Sequence, residues 1–196
     1  QLTDIHSTLQ QVESSILVRH GDPIRIFKDL TYSFSVHAVY TNRDYEPYAV
    51  ERDEQVQKHL GHAGIAFHAF KDQVIFENKE VVKDDGEPYR VFTPYKRRWL
   101  DTLRDIPAEQ HTIPLRDARF HRIDPEAIPS LQALGFHQSE VAIPPGTPDE
   151  HIIKNYHKTR DFPAQNGTTR LGIHLRHGTF SIRRAVALAR RLNDTW

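Results

Sequence analysis

The chain has 196 residues, 38% of them hydrophobic and 27% charged, and its 26 Lys/Arg balance 26 Asp/Glu to a formal net charge of zero. That composition fits a globular protein with a core of ordinary size, one domain or one domain plus an appendage. It excludes disulfides and thiolate metal sites, since there is no cysteine, and no apolar run reaches the roughly 18 residues of a membrane span. With no basic-then-apolar leader at the start, a cytoplasmic protein without membrane partners is expected.

The thirteen histidines are scattered, without an H-E-x-x-H or a His-rich tract, so no metal site is expected. There is no methionine and Gln1 stands first. This reads as a fragment or a processed form, or as a sequence from which modified methionines are missing.

In chain order, residues 15–19 (SILVR) are β-branched and apolar and predict a first strand. Asp22 suits a helix N-cap and Pro23 the first helical position, with Ile24, Phe27, Leu30 and Phe34 giving the helix an apolar face. A second strand is expected at 38–42, a charged helix at about 47–60 and a third strand at 65–70. Strands alternating with helices at this period argue for an α/β fold with a doubly wound parallel sheet. Gly86 to Tyr89 reads as a turn, and Thr93-Pro94 as the cap and first turn of a helix through Arg104. Residues 105–148, rich in proline and without period, read as a linker. Helices follow at 149–159 and 181–192, the second with Ile182, Val186 and Ala189 on one face. Two domains joined by a linker are thus expected: 1–104, the linker 105–148, and a helical region 149–196.

Between the last two helices lies Gly167-Thr168-Thr169. Threonine hydroxyls and backbone N–H groups in a glycine-initiated turn can donate to a phosphate group. From 154 to 191 there are nine Lys/Arg against one acid, Asp161, a local excess of +8 that implies a polyanionic partner. The acids and bases around Tyr48 (Arg43, Glu46, Glu51, Arg52, Asp53) read as a salt-bridge network at a helix start. No Ser-His-Asp arrangement or Walker A loop is present, and no catalytic residue is assigned.

Five blocks, LVRHGDP (17–23), VYTNRDYEPYAVERD (39–53), FKDQVIFE (70–77), GEPYRVFTPYKRRWL (86–100) and RDFPAQNGTTRL (160–171), occur in an order that resembles the photolyase/cryptochrome flavoproteins. The resemblance implies an N-terminal α/β antenna domain, a long linker, and an all-helical domain that binds FAD beside a DNA groove. It also implies a partial chain: strands of the sheet would precede Gln1, and most of the flavin pocket would follow Trp196.

By that resemblance, Thr168, Thr169, Arg170 and Leu171 form the FAD-phosphate turn and Tyr156 supplies an aromatic hydroxyl to the same group. Gly172 stands in this cofactor-binding set where the family usually has serine, removing one hydroxyl donor. Arg160, one turn beyond Tyr156, corresponds to a DNA-phosphate contact. Glu87 matches a carboxylate that holds a folate antenna, and Asp72 an acid on the antenna side of deazaflavin-using relatives. Strand C-termini are also where open α/β sheets take ligands. The antenna is left open among folate, deazaflavin, FMN or none.

The implied activity is light-driven repair of cyclobutane pyrimidine dimers by electron transfer from reduced FAD, acting on damaged DNA as a monomer. The alternatives are a cryptochrome-like photoreceptor without repair activity, and an isolated chromophore- or nucleotide-binding module.

Overall fold

The computed structural model describes residues 1–104, 106, 114 and 118–193. Its elements are α1 (Leu2–Gln10), α2 (Pro23–Ser33), β1 (Ala38–Asn42), α3 (Pro47–His62), β2 (Ala66–Phe70), α4 (Phe92–Arg104), α5 (Glu150–Thr159), α6 (Gly172–Arg176) and α7 (Ile182–Leu192). The chain divides into two compact units. The first comprises Gln1–Tyr40, Tyr45–His68 and His111–Ile143; the second comprises Thr41–Asp44, Ala69–Gln110 and Pro144–Trp196.

The α/β class holds, with a sheet of two strands among the described residues. Ala66 N–H donates to the His37 carbonyl (3.2 Å) and Arg43 N–H to the Phe70 carbonyl (2.8 Å). Start pairs with start and end with end, so the strands are parallel. The strand expected at 15–19 does not form. Its β-branched residues favour extended backbone, but a strand also needs a ladder partner. The neighbouring bonds are made by side chains instead: Ser14 Oγ to the His121 carbonyl (2.8 Å) and Arg19 bidentately to Glu126 (2.6 and 2.9 Å).

In the first unit α2 starts as its sequence dictates, with Asp22 Oδ1 accepting from Arg25 N–H (2.9 Å) and Pro23 leading the helix. α3 also opens on a proline, and it buries Ala49, Val56 and Leu60, a spacing that places all three on one face. It ends in a Schellman motif: Gly64, at φ +71°, donates to the Gly61 carbonyl (3.1 Å) and Ile65 to that of Leu60 (2.9 Å). The left-handed turn that a glycine adopts at no steric cost thus leads directly into β2.

In the second unit, α4 begins earlier than Thr93. The Val91 carbonyl accepts from Tyr95 N–H (3.5 Å), so Phe92 is already helical and Thr93 is no cap. Asp149 caps α5 through His151 N–H (2.7 Å), and Ser181 caps α7 through Arg183 N–H (3.2 Å). Leu171, Phe180 and Ala185 form its buried cluster, with Leu175 and Ile182 packed against them. Two helices, α1 and α6, have no counterpart in the sequence reading. In the stretch expected to be a linker, positions 105, 107–113 and 115–117 lie outside the described residues. Residues 118–148 carry turns but no helix or strand.

Candidate cofactor cavity

The glycine-initiated turn is held by a close approach to the end of α5. A Cβ placed on Gly167 would lie 2.6 Å from Thr159 Cβ and Oγ1 and 2.9 Å from the Thr159 backbone carbon, so only glycine fits. Thr159 Oγ1 donates to the Asn155 carbonyl (3.2 Å) and reaches the Gly167 carbonyl (3.4 Å), joining helix and turn. Two residues past Thr168, Arg170 takes a left-handed backbone (φ +52°), a conformation uncommon outside glycine and asparagine. The chain then drops into the buried Leu171 and the single turn and a half of α6.

This turn forms one wall of a cavity of about 680 Å³ built within the second unit. Tyr156 from α5 and Thr168, Thr169, Leu171 and Gly172 from the turn line it. Trp99, Leu100, Leu103 and Arg104 come from α4; Ile182, Ala185, Val186, Ala189 and Arg190 come from α7. Five of the six expected cofactor residues therefore meet at one cavity; Arg170, exposed on its left-handed backbone, is not among the lining residues. The expected apolar face of α7 (Ile182, Val186 and Ala189) forms another wall.

The lining is largely aliphatic, with two hydroxyls, a phenol, an indole, the Asn193 amide and two guanidiniums, and no acid among the described residues. Among the described residues the hydroxyls of Thr168 and Thr169 have no partner in the protein. Such a set suits a ligand with a large apolar body and an anionic end. Among the described residues no cluster of His, Asp and Glu could hold a metal ion.

Sequence reasoning missed Arg104, Arg190 and Trp99. They come from helices separated from the turn by long stretches of chain, and only the apolar spacing on α7 signalled a wall there.

The other expected site residues lie elsewhere. Arg160 caps α5, exposed, its guanidinium 5.7 Å from the Tyr156 ring centroid and 3.6 Å from Asp161. Asp72, just past β2, is engaged on both carboxylate oxygens, accepting from Asn42 (2.9 Å) and from Arg183 (3.2 Å). Arg183 also donates to the carbonyls of Asp72 (2.9 Å) and Lys71 (3.2 Å), so it ties α7 to the strand end. Glu87 is exposed in a turn closed by Lys83 N–H to its carbonyl (2.9 Å). Its own N–H donates to Asp85 and, with Lys83, holds the Asp85 carboxyl below its ordinary value.

The basic stretch is less free than its charge count implies. Lys154 and Arg191 reach Glu150, Arg160 reaches Asp161, Arg176 reaches Asp44 and Arg183 reaches Asp72. Five of the nine cations thus share four acids, three of which lie outside the stretch. Around Tyr48, where a salt-bridge network is expected, Arg52 pairs with Asp53 (2.7 Å) and Arg43 with Glu77 (2.7 Å).

The model of the DNA photolyase family matches residues 1–114. A deoxyribodipyrimidine photo-lyase of Halobacterium salinarum is 32% identical over 200 residues, covering 96% of this chain and 42% of that protein. Among solved structures, a bacterial class III photolyase from Agrobacterium tumefaciens superposes with a TM-score of 0.75 at 23% identity, over 100% of this chain and 44% of its own. An archaeal photolyase from Sulfolobus tokodaii, solved with two FAD molecules and described as implying a novel light-harvesting cofactor, gives 0.57 at 20% identity over 96% and 42%. The chain spans less than half the length of these three relatives.

Proposed function

The chain belongs to the DNA photolyase family, and from that premise we propose that the whole protein is a deoxyribodipyrimidine photo-lyase that repairs cyclobutane pyrimidine dimers in damaged DNA with light. Residues 1–104 belong to its antenna domain, 105–148 to the linker and 149–196 to the start of the FAD-binding domain. The observation that carries this reading is the convergence of Tyr156, Thr168, Thr169, Leu171 and Gly172 on one cavity that no acid lines among the described residues. Reduced FAD, when bound, supplies the electron that opens the dimer after excitation and recovers it afterwards.

The residues of this chain bind and orient. The two threonine hydroxyls donate to the anionic end of the cofactor, the phenol of Tyr156 adds a third donor, and the aliphatic walls exclude water from the apolar body. Arg170 acts through its main chain, which turns Thr169 into the buried Leu171. Arg160, exposed at the end of α5, offers a guanidinium to a DNA phosphate in competition with Asp161. Glu87, whose carboxylate is exposed, remains the better antenna ligand, because both carboxylate oxygens of Asp72 already accept hydrogen bonds.

Replacing Thr168 and Thr169 together by valine removes two donors at nearly constant volume, a loss of about 1–3 kcal/mol for each. Flavin occupancy of the purified whole protein should fall accordingly. Occupancy equal to that of the unmodified protein would overturn the assignment of the turn.

A further inference from the structure

We infer that Arg104 and Arg190 form a second, cationic grip on the ligand of this cavity, opposite in origin to the threonine turn, and that this grip takes the diphosphate of a dinucleotide; the inference rests on the reading of the cavity as a cofactor site. The two arginines come from α4 and α7, separate elements that the fold brings to a single cavity. Two positive charges facing one space repel unless an anion lies between them, and among the described residues no aspartate or glutamate lines that space. A diphosphate carries about two negative charges at neutral pH, and each guanidinium can grip a phosphate through two parallel hydrogen bonds.

Both guanidiniums also have donors to spare. An arginine presents five N–H donors. Among the described residues Arg104 has one acid partner, Asp101 at 3.2 Å, and Arg190 one carbonyl partner, Ile106 at 3.5 Å, the limit of a hydrogen bond. Arg183 and Arg191 on the same helix are committed differently, the former to three oxygens at the end of β2, the latter to Glu150 at 2.6 Å. The Arg104 side chain is 77% exposed and Arg190 is exposed, whereas Leu171 and Ala185 are buried. Among the described residues the charges therefore lie at the exposed side of the cavity and the apolar surface at its floor. Arg170, the cation in the turn itself, does not line the cavity, and this pair supplies the positive charge in its place.

The test is FAD binding to the whole apoprotein, followed by fluorescence at several salt concentrations, for the unmodified protein, the double variant Arg104→Gln with Arg190→Gln, and Arg191→Gln. Glutamine keeps a donor for the Ile106 carbonyl, and both positions are exposed, so the fold is preserved. The double variant should weaken FAD binding at least about tenfold and flatten its dependence on salt, because a charge-assisted contact is screened. Arg191→Gln, whose cation Glu150 already neutralises, should change neither. Unchanged affinity in the double variant, weakening with an unchanged salt slope, or an equal effect of Arg191→Gln would each overturn the grip while leaving the cofactor site standing. No FAD binding by the unmodified protein would overturn both.

Discussion

In the first unit the buried side chains of α3, Ala49, Val56 and Leu60, come from one helix at helical spacing, and the helix starts and stops on residues whose backbone chemistry dictates it. In the second unit Leu171, Phe180 and Ala185 come from a turn, a loop and a helix, and the cavity beside them depends on a contact of Gly167 with Thr159 that no periodicity announces. Local rules build the first interior. The second is assembled from segments that are individually too short to be stable, α6 having only five residues. A binding cavity needs walls from several elements, whereas a core strip can come from one.

The comparison predicts which substitutions cost most. Leu60 is fully buried, and Leu60→Ala should cost about 2–5 kcal/mol, the lost transfer energy plus the cavity left behind. Urea denaturation measures this as a lower midpoint at an unchanged slope. Gly167→Ala should cost less, about 1–3 kcal/mol, because a methyl group 2.6 Å from Thr159 Cβ and 2.9 Å from its backbone carbon forces the turn away from the end of α5. It should also lower flavin occupancy in the whole protein, since the shifted turn carries Thr168 and Thr169. A Gly167→Ala protein as stable as the unmodified one would show that the turn is not pinned by this contact, and the contrast between the units would fail.

The same contrast accounts for what the sequence made legible. Caps at Asp22, Asp149 and Ser181, the apolar face of α7 and the strand at 38–42 follow from neighbours within one turn or one strand, and all are found. The strand expected at 15–19 is not, because extended backbone is a local property while a ladder requires a partner. Thr93 failed as a cap for a related reason: the Val91 carbonyl already accepts the first helical bond. At the site, the family-like run GTTRL identified the threonines, but Arg104 and Arg190 reach the cavity only through the packing of α4 and α7, which no local pattern encodes. The charge excess from 154 to 191 is likewise offset from outside its own sequence, since Asp44, Asp72 and Glu150 pair with its cations.

The smallest expected effect concerns a local device inside the second unit, the turn after β2. Lys71 Nζ donates to both oxygens of Glu80 (2.8 and 2.7 Å), and Glu77 N–H donates to one of them (2.6 Å). The lysine bonds chiefly, and the Glu77 N–H with them, hold the Glu80 carboxyl below its ordinary value of 4.5 against the opposing effect of partial burial. A carboxyl that binds its proton less readily in the folded than in the unfolded chain stabilises the fold fully above the unfolded value. That contribution is lost as pH falls from about 4.5 through the lower folded value. Both side chains are partly exposed, 25% for Lys71 and 42% for Glu80, so screening by solvent keeps the contribution to about 1 kcal/mol at most. Unfolding followed between pH 6 and pH 3 should show stability declining at the acid end, with a shallower decline for Glu80→Gln, which cannot gain the proton. An identical acid slope in the two proteins would mean that the Lys71–Glu80 pair does not hold this turn, leaving its other contacts, among them the Arg43–Glu77 pair, to do so.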